Sequence, residues 1–150
     1  MQKVLFVCTH NSARSQMAEA ALRAKYGEFY QVFSAGTNPT KLNPYVNKVM
    51  REIGIDMSTH ESKHVNSFLD KKIDIVATVC DSAKENCPFF PGAKQYMHKS
   101  FPDPSRLSGS EEEILRNIRL VRDEIFKWID SEFGSVKKDS NLSPNHTFRI

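Results

Sequence analysis

The 150-residue chain lacks any run approaching the roughly 20 apolar residues that cross a bilayer, which excludes a spanning helix. It lacks a strong charge of either sign. Twenty-one Lys and Arg against 18 Asp and Glu leave +3, scattered along the chain, too small an imbalance to argue for nucleic acid. It has no internal repeats and no sign of a second domain. Cysteine is scarce, with three residues, and the pair Cys80 and Cys87 stands seven apart, not at the two-to-four spacing of zinc sites. No metal is therefore expected, even with His64 and His98 as possible further ligands. The first polar functional loop begins eight residues from Met1, leaving no room for a removable leader. A cytoplasmic location is expected, and with it thiols that are reactive or buried, not bridged. What remains is a globular composition, 39% hydrophobic and 26% charged, long enough to bury a core without staples. A monomer is expected.

The stretch Val4-Leu5-Phe6-Val7-Cys8-Thr9-His10-Asn11-Ser12-Ala13-Arg14-Ser15 runs from an apolar strand through a polar loop into a helix-forming run. Its pattern is Cys-x5-Arg-Ser. A loop winding into a helix N-terminus offers backbone N–H groups with no intrahelical partner, which is what a tetrahedral oxyanion needs. Arg14 can close that cradle with two parallel donors. The same positive field is expected to lower the pKa of Cys8 and activate it as a nucleophile. Thr9, His10, Asn11, Ser12, Ala13, Arg14 and Ser15 are the expected oxyanion-binding residues. Ser15 is placed to donate to the thiolate and Asn11 to brace the loop, whereas His10 has no assigned role.

Strands are expected over Lys3–Val7, Phe29–Ala35, Ile73–Val79 and Ala93–His98. A helix follows the loop and stops at Tyr26-Gly27. A second begins at Asn43-Pro44, with Asn as cap and Pro in the first turn, buries Val46, Val49, Met50 and Ile53, and ends at Gly54. Ile55–Phe68 is polar, with a short helix near Val65–Leu69. Asp81–Gly92 reads as loop. Ser110-Glu111-Glu112-Glu113 is a capping box that opens a long amphipathic helix ending near Phe133-Gly134. These elements imply an α/β fold in a single domain, residues 1–135, with a four-stranded, mainly parallel sheet and helices on both faces. A polar tail is expected over 136–150. In such folds ligands bind outside the carboxyl ends of the strands, where both Cys8 and Cys80 fall.

Three thiols with one of them activated can form a relay. A thiolate attacks a sulfur-bound adduct, and a third attacks the resulting disulfide. Phe101-Pro102-Asp103-Pro104-Ser105 holds a carboxylate between two prolines, which suits a side chain that must be positioned.

The run from Cys8 to Glu19 resembles the active-site loop of the low-molecular-weight tyrosine phosphatase superfamily, especially its arsenate reductase branch. Over about residues 1–135 the chain is similar to the thioredoxin-coupled type. That resemblance implies a Cys8 nucleophile, Cys80 and Cys87 as first and second resolving thiols, and Asp103 as the general acid. It implies reduction of arsenate to arsenite in arsenic detoxification, with no bound cofactor and with thioredoxin or a similar external dithiol as reductant. The alternative is a low-molecular-weight protein tyrosine phosphatase, or a phosphatase of small phosphates, using Cys8, Arg14 and Asp103 alone. Such phosphatases carry an aromatic residue after Asp-Pro, where this chain has Ser105. A sensing module that only reports oxidation is a third reading. Some reductases of this branch bind potassium beside the loop through an Asn, a helix Glu and a later acid. Asn11 and Glu19 match the first two, and Lys63 stands in the acid's place. The Lys63 ammonium is expected to sit next to Glu19 and to replace the ion, leaving little activation by potassium.

Overall fold

In the computed structural model, which describes residues 1–104 and 108–136, the sheet has four strands in the order β2-β1-β3-β4. They are β1 (Gln2–Cys8), β2 (Tyr30–Gly36), β3 (Ile75–Thr78) and β4 (Gln95–His98), and every pair is parallel. The central β1 pairs Val4 with Val32 and Ile75, and Cys8 with Gly36. Val4 to Val7 have no exposed surface, as a strand covered on both faces requires.

Helix α1 (Arg14–Tyr26) packs on β1 and β2, and α4 (Glu111–Phe133) packs on α1. Strand alternation sends Phe6 and Tyr30 toward α4, where they meet Phe133 edge to face at 5.9 and 5.4 Å. Phe6 also meets Trp128 at 6.0 Å. Each such buried aromatic contributes about 1.5–3 kcal/mol of transfer free energy. The opposite face carries Phe33 against Phe68 of the 3₁₀ turn Val65–Phe68. Helix α2 (Pro44–Arg51) packs on α4, with Asn43 accepting from the Tyr45 N–H as its cap. Ser110 accepts from the Glu113 N–H at the start of α4, the first half of the expected capping box, while its hydroxyl, not its N–H, meets Glu113 Oε1 at 3.2 Å.

Four expectations change. Ile53 is not in the buried stripe of α2 but 44% exposed, because the helix ends at Arg51 and the chain turns away through Gly54 at a φ of +84°. The Asp81–Gly92 loop begins with a helix, α3 (Asp81–Asn86), capped by Cys80. Strands β3 and β4 are four residues each, shorter than the expected Ile73–Val79 and Ala93–His98. Val136, assigned to the tail, packs against the core. The rest of the tail, 137–150, and Ser105 lie outside the described residues. Among the described residues no helix is long and apolar enough to cross a membrane.

Candidate active site

The loop between β1 and α1 is held by its carbonyls. Those of Cys8, Thr9, His10 and Ser12 accept from the N–H groups of Thr37, Asn38, Thr40 and Asn43 at 2.7–3.1 Å. The Asn11 carbonyl accepts from the Gln16 side chain at 3.1 Å and the Ser62 hydroxyl at 2.8 Å. A planar peptide that turns its carbonyl outward turns the next N–H inward. The N–H groups of Thr9 to Ala13 are thereby left for the interior, and no side chain caps the first turn of α1. This is a nest for an anion. Asn11 adopts a left-handed φ of 50°, and its side chain fixes that conformation. Gly36 is required beside it, since a Cβ there would come within 2.5 Å of the Thr9 carbonyl oxygen and 2.9 Å of the Asn11 nitrogen.

Cys8 is 2% exposed at the base of the loop. The polarity of its hydrogen bonds follows from donor counting. The Asn11 Oδ1 accepts from Gln16 Nε2 and from the Lys63 N–H, so its Nδ2 must donate, and it does so to Ser15 Oγ at 2.7 Å and Ser34 Oγ at 3.0 Å. Ser34 donates its own hydroxyl hydrogen bond to Glu19 Oε1. Ser15, already an acceptor, has its proton left for Cys8 Sγ at 2.8 Å, and the Asn11 N–H donates to the same sulfur at 3.2 Å.

The expected depression of the Cys8 pKa is not what results. Burial pushes the thiol above its ordinary value and outweighs the Ser15 hydroxyl and N–H, the Arg14 guanidinium and the Asn11 N–H, all of which pull it down. The donors that would stabilise a thiolate are present, but the site is nearly dry.

Arg14 is anchored by the Phe101 carbonyl, to which Nη1 donates at 3.2 Å, and lies 3.7 Å from Asp103 Oδ2. Thr9, His10, Arg14, Cys80, Asp81, Ser82, Ser100 and Asp103 line one cleft of about 290 Å³. Arg14, Asp103 and Cys80 are thus brought into one cleft beside the loop that follows Cys8. Cys80 Sγ lies 3.3 Å from Thr9 Oγ1 and accepts from the Ala83 N–H at 3.4 Å. Cys87 is elsewhere. It ends α3, half-buried in a separate recess with Thr78, Lys84, Tyr96, Met97 and His98, and burial pushes its thiol up to about 11.

The ammonium of Lys63 does not reach Glu19. It donates to the Glu61 carbonyl at 2.6 Å, and the cation against Glu19 is Arg23, at 2.7 Å, from the next turn of α1. Lys63 supports the loop through its backbone N–H instead. Sequence reasoning missed Gln16, Ser34, Gly36 and Phe101, whose roles depend on contacts between distant segments. Only the Gly at a strand end next to the loop offered a hint. Among the described residues no group of three or more His, Cys, Asp or Glu converges as metal ligands would.

A buried thiol under an anion nest, closed by an arginine and faced by a carboxylate, defines a class of cysteine enzymes that attack tetrahedral oxyanions. A family model described as low molecular weight phosphotyrosine protein phosphatase matches residues 3–141, and the chain belongs to that family. Its relatives include an arsenate reductase of Halalkalibacterium halodurans, 42% identical over 84% of this chain and 91% of that one. An arsenate reductase of Bacillus subtilis is 41% identical over 81% and 88% of the two chains. Among solved structures, an arsenate reductase in its phosphate-binding state superposes with a TM-score of 0.75 at 29% identity, covering 87% of this chain and 95% of the other. A thioredoxin-dependent arsenate reductase of Corynebacterium glutamicum gives 0.61 at 30% identity, covering 87% and 62%.

Proposed function

We propose that the protein reduces arsenate to arsenite through Cys8, Cys80 and Cys87 in turn. The observation that carries this reading is the position of Cys80, in the same cleft as Arg14 and Asp103 and within 3.3 Å of the loop's Thr9. A phosphatase needs no second thiol there. The kinship with arsenate reductases supports the same conclusion.

The oxyanion occupies the nest with Arg14 on its outer oxygens. Cys8 loses its proton to an oxygen of the entering oxyanion. The thiolate, held by the Ser15 hydroxyl and the Asn11 N–H, forms a bond to arsenic while Asp103 gives a proton to the departing oxygen, which leaves as water. Cys80 then attacks Cys8 Sγ. The sulfur–arsenic bond breaks with its electron pair going to arsenic, so As(V) leaves as arsenite and the two sulfurs are joined as a disulfide. Cys87 attacks Cys80, Cys8 departs as thiolate, and a Cys80–Cys87 disulfide remains for an external dithiol such as thioredoxin.

The last exchange requires α3 to open. An offset of seven positions along a helix holds the two cysteines that bracket it about 10 Å apart, beyond the roughly 7 Å that a disulfide tolerates. Six residues of helix are marginal in isolation, so opening is accessible. Opening also exposes Cys87 and lets its thiol fall from about 11 toward the ordinary cysteine value of about 8.5, making it a nucleophile only when it is needed.

The test is arsenite production from arsenate with thioredoxin, its reductase and NADPH. Wild type should turn over, whereas Cys80→Ser should form the Cys8 adduct and release no arsenite. Full turnover by Cys80→Ser would overturn the relay. Hydrolysis of an aryl phosphate without arsenate reduction would favour the phosphatase.

A further inference from the structure

His98 takes no part in the chemistry above, yet from β4 it bonds to both β3 and the first turn of α3. It ends β4, and its side chain is 23% exposed. Its Nε2 lies 3.1 Å from Oδ1 of Asp81, the first residue of α3, and its Nδ1 lies 2.8 Å from the hydroxyl of Thr78 on β3. A carboxylate only accepts, so Nε2 donates to Asp81, and in the neutral ring Nδ1 accepts from Thr78. The imidazole is a strut between the sheet and the first turn of α3. At the other end of the helix Cys87 packs into its recess, but among the described residues no side chain from another strand hydrogen-bonds to it. The hydrogen bonds there are local: the Cys87 N–H to the Ala83 carbonyl, the Asn86 side chain to Ser82, and Cys87 Sγ to the Pro88 carbonyl at 3.6 Å.

We propose that His98 is a positioning residue which, through Asp81, anchors the first turn of α3 and so holds Cys80 toward Cys8 and apart from Cys87. The proposal rests on the three-thiol reading for its purpose, though not for its physics. With the first turn fixed, opening begins at the Cys87 end, and Cys80 stays beside Thr9 until its exchange with Cys8 is complete. Without the strut, a six-residue helix opens from both ends, and Cys80 pairs with Cys87 more readily. His98 therefore sets the order of the two exchanges.

The measurement is made without arsenate, so that failure of the reductase reading leaves it intact. In a Cys8→Ser background, the equilibrium constant for the Cys80–Cys87 disulfide is read against reduced and oxidised glutathione. Amide exchange of residues 83–87 is followed in the reduced protein. His98→Ala and Asp81→Ala should each raise the disulfide constant about threefold or more and lower α3 protection by a similar factor, the scale of one hydrogen bond. The double variant should equal either single one, because both remove the same contact. His98→Gln, which keeps a donor toward Asp81, should stay near the parent. Asp81 is exposed, so its variant tests the contact even if His98→Ala folds poorly. An unchanged disulfide constant in Asp81→Ala, additive singles, or His98→Gln behaving as His98→Ala would each overturn the proposal.

Discussion

Cys8 lies under a loop in which every carbonyl from Cys8 to Ser12 is hydrogen-bonded outward, while Cys80 and Cys87 bracket six residues of helix, five of them exposed. The first region is over-determined: its left-handed residue, its missing Cβ at Gly36 and its chain of donors all enforce one geometry. The second is held by a sulfur cap, one turn of backbone bonds and the His98 strut. Binding a tetrahedral anion requires donors already in place, because moving them during reaction costs catalysis. Passing a disulfide along the chain requires the opposite. On the proposed relay, the two thiol regions are held differently because their steps differ in kind.

The sharpest way to break the rigid half is at its charge. Arg14→Lys keeps the positive charge but loses the planar fork held by the Phe101 carbonyl and Asp103. The expected loss is about 10² to 10³ in kcat/KM for arsenate, or roughly 3–4 kcal/mol of transition-state stabilisation. Steady-state kinetics check this, and a loss below tenfold would mean that charge without geometry suffices. The Cys80–Cys87 equilibrium should not change.

Gly36→Ala strikes the same half through space alone. The added carbon meets backbone atoms of Thr9 and Asn11, which cannot rotate away as a flexible side chain would. Overpacking of this kind costs about 1–3 kcal/mol, or several degrees of melting temperature for a chain of this size. A thermal melt within a degree of wild type would show the loop to be softer than its bonding implies.

In the mobile half the expected effect is smaller and of opposite sign for exchange. Glu85→Gly, at an exposed position of α3, lowers helix propensity by about 0.5–1 kcal/mol. Cys80–Cys87 disulfide formation should therefore become about two- to fivefold more favourable against glutathione, with oxyanion binding at Cys8 unchanged. A decrease would show that the pairing needs the helix intact.

These contrasts also mark what could be read from residues alone. The Cys8 loop was legible because its information is local: strand, thiol, polar loop and helix start follow each other within a dozen residues. Asn43-Pro44 and Ser110 to Glu113 were legible for the same reason. Helix α3 was not, because Asp81 to Asn86 has one buried residue, Ala83, and so no periodicity to detect. Its contacts include the sulfur cap and Asp81 meeting His98 from another strand. The cation beside Glu19 was misassigned because Arg23 and Lys63 are equally plausible by charge, and only the fold decides which ammonium or guanidinium arrives. The pKa of Cys8 was misjudged because burial is a property of the packed core, whereas the donors that oppose it are visible in the motif.

The smallest effect compares the thiols by their protons. Burial holds Cys87 at about 11 in the folded chain, against about 8.5 when unfolded. Between those values the unfolded state has lost a proton that the folded state keeps, so the stability this group contributes falls as pH rises. It is present in full below about 8.5 and is lost as pH rises through about 11. Cys87→Ala removes it, while Cys8 and Tyr26, raised in the same direction, remain in both chains and cancel in the difference. Urea unfolding under reducing conditions from pH 8 to 10 should show wild type losing stability relative to the variant. Partial exposure of Cys87 limits the size of that loss. A difference that does not change with pH would mean that α3 is already open often enough for Cys87 to titrate in water, and the mobile half would then be looser than its hydrogen bonds describe.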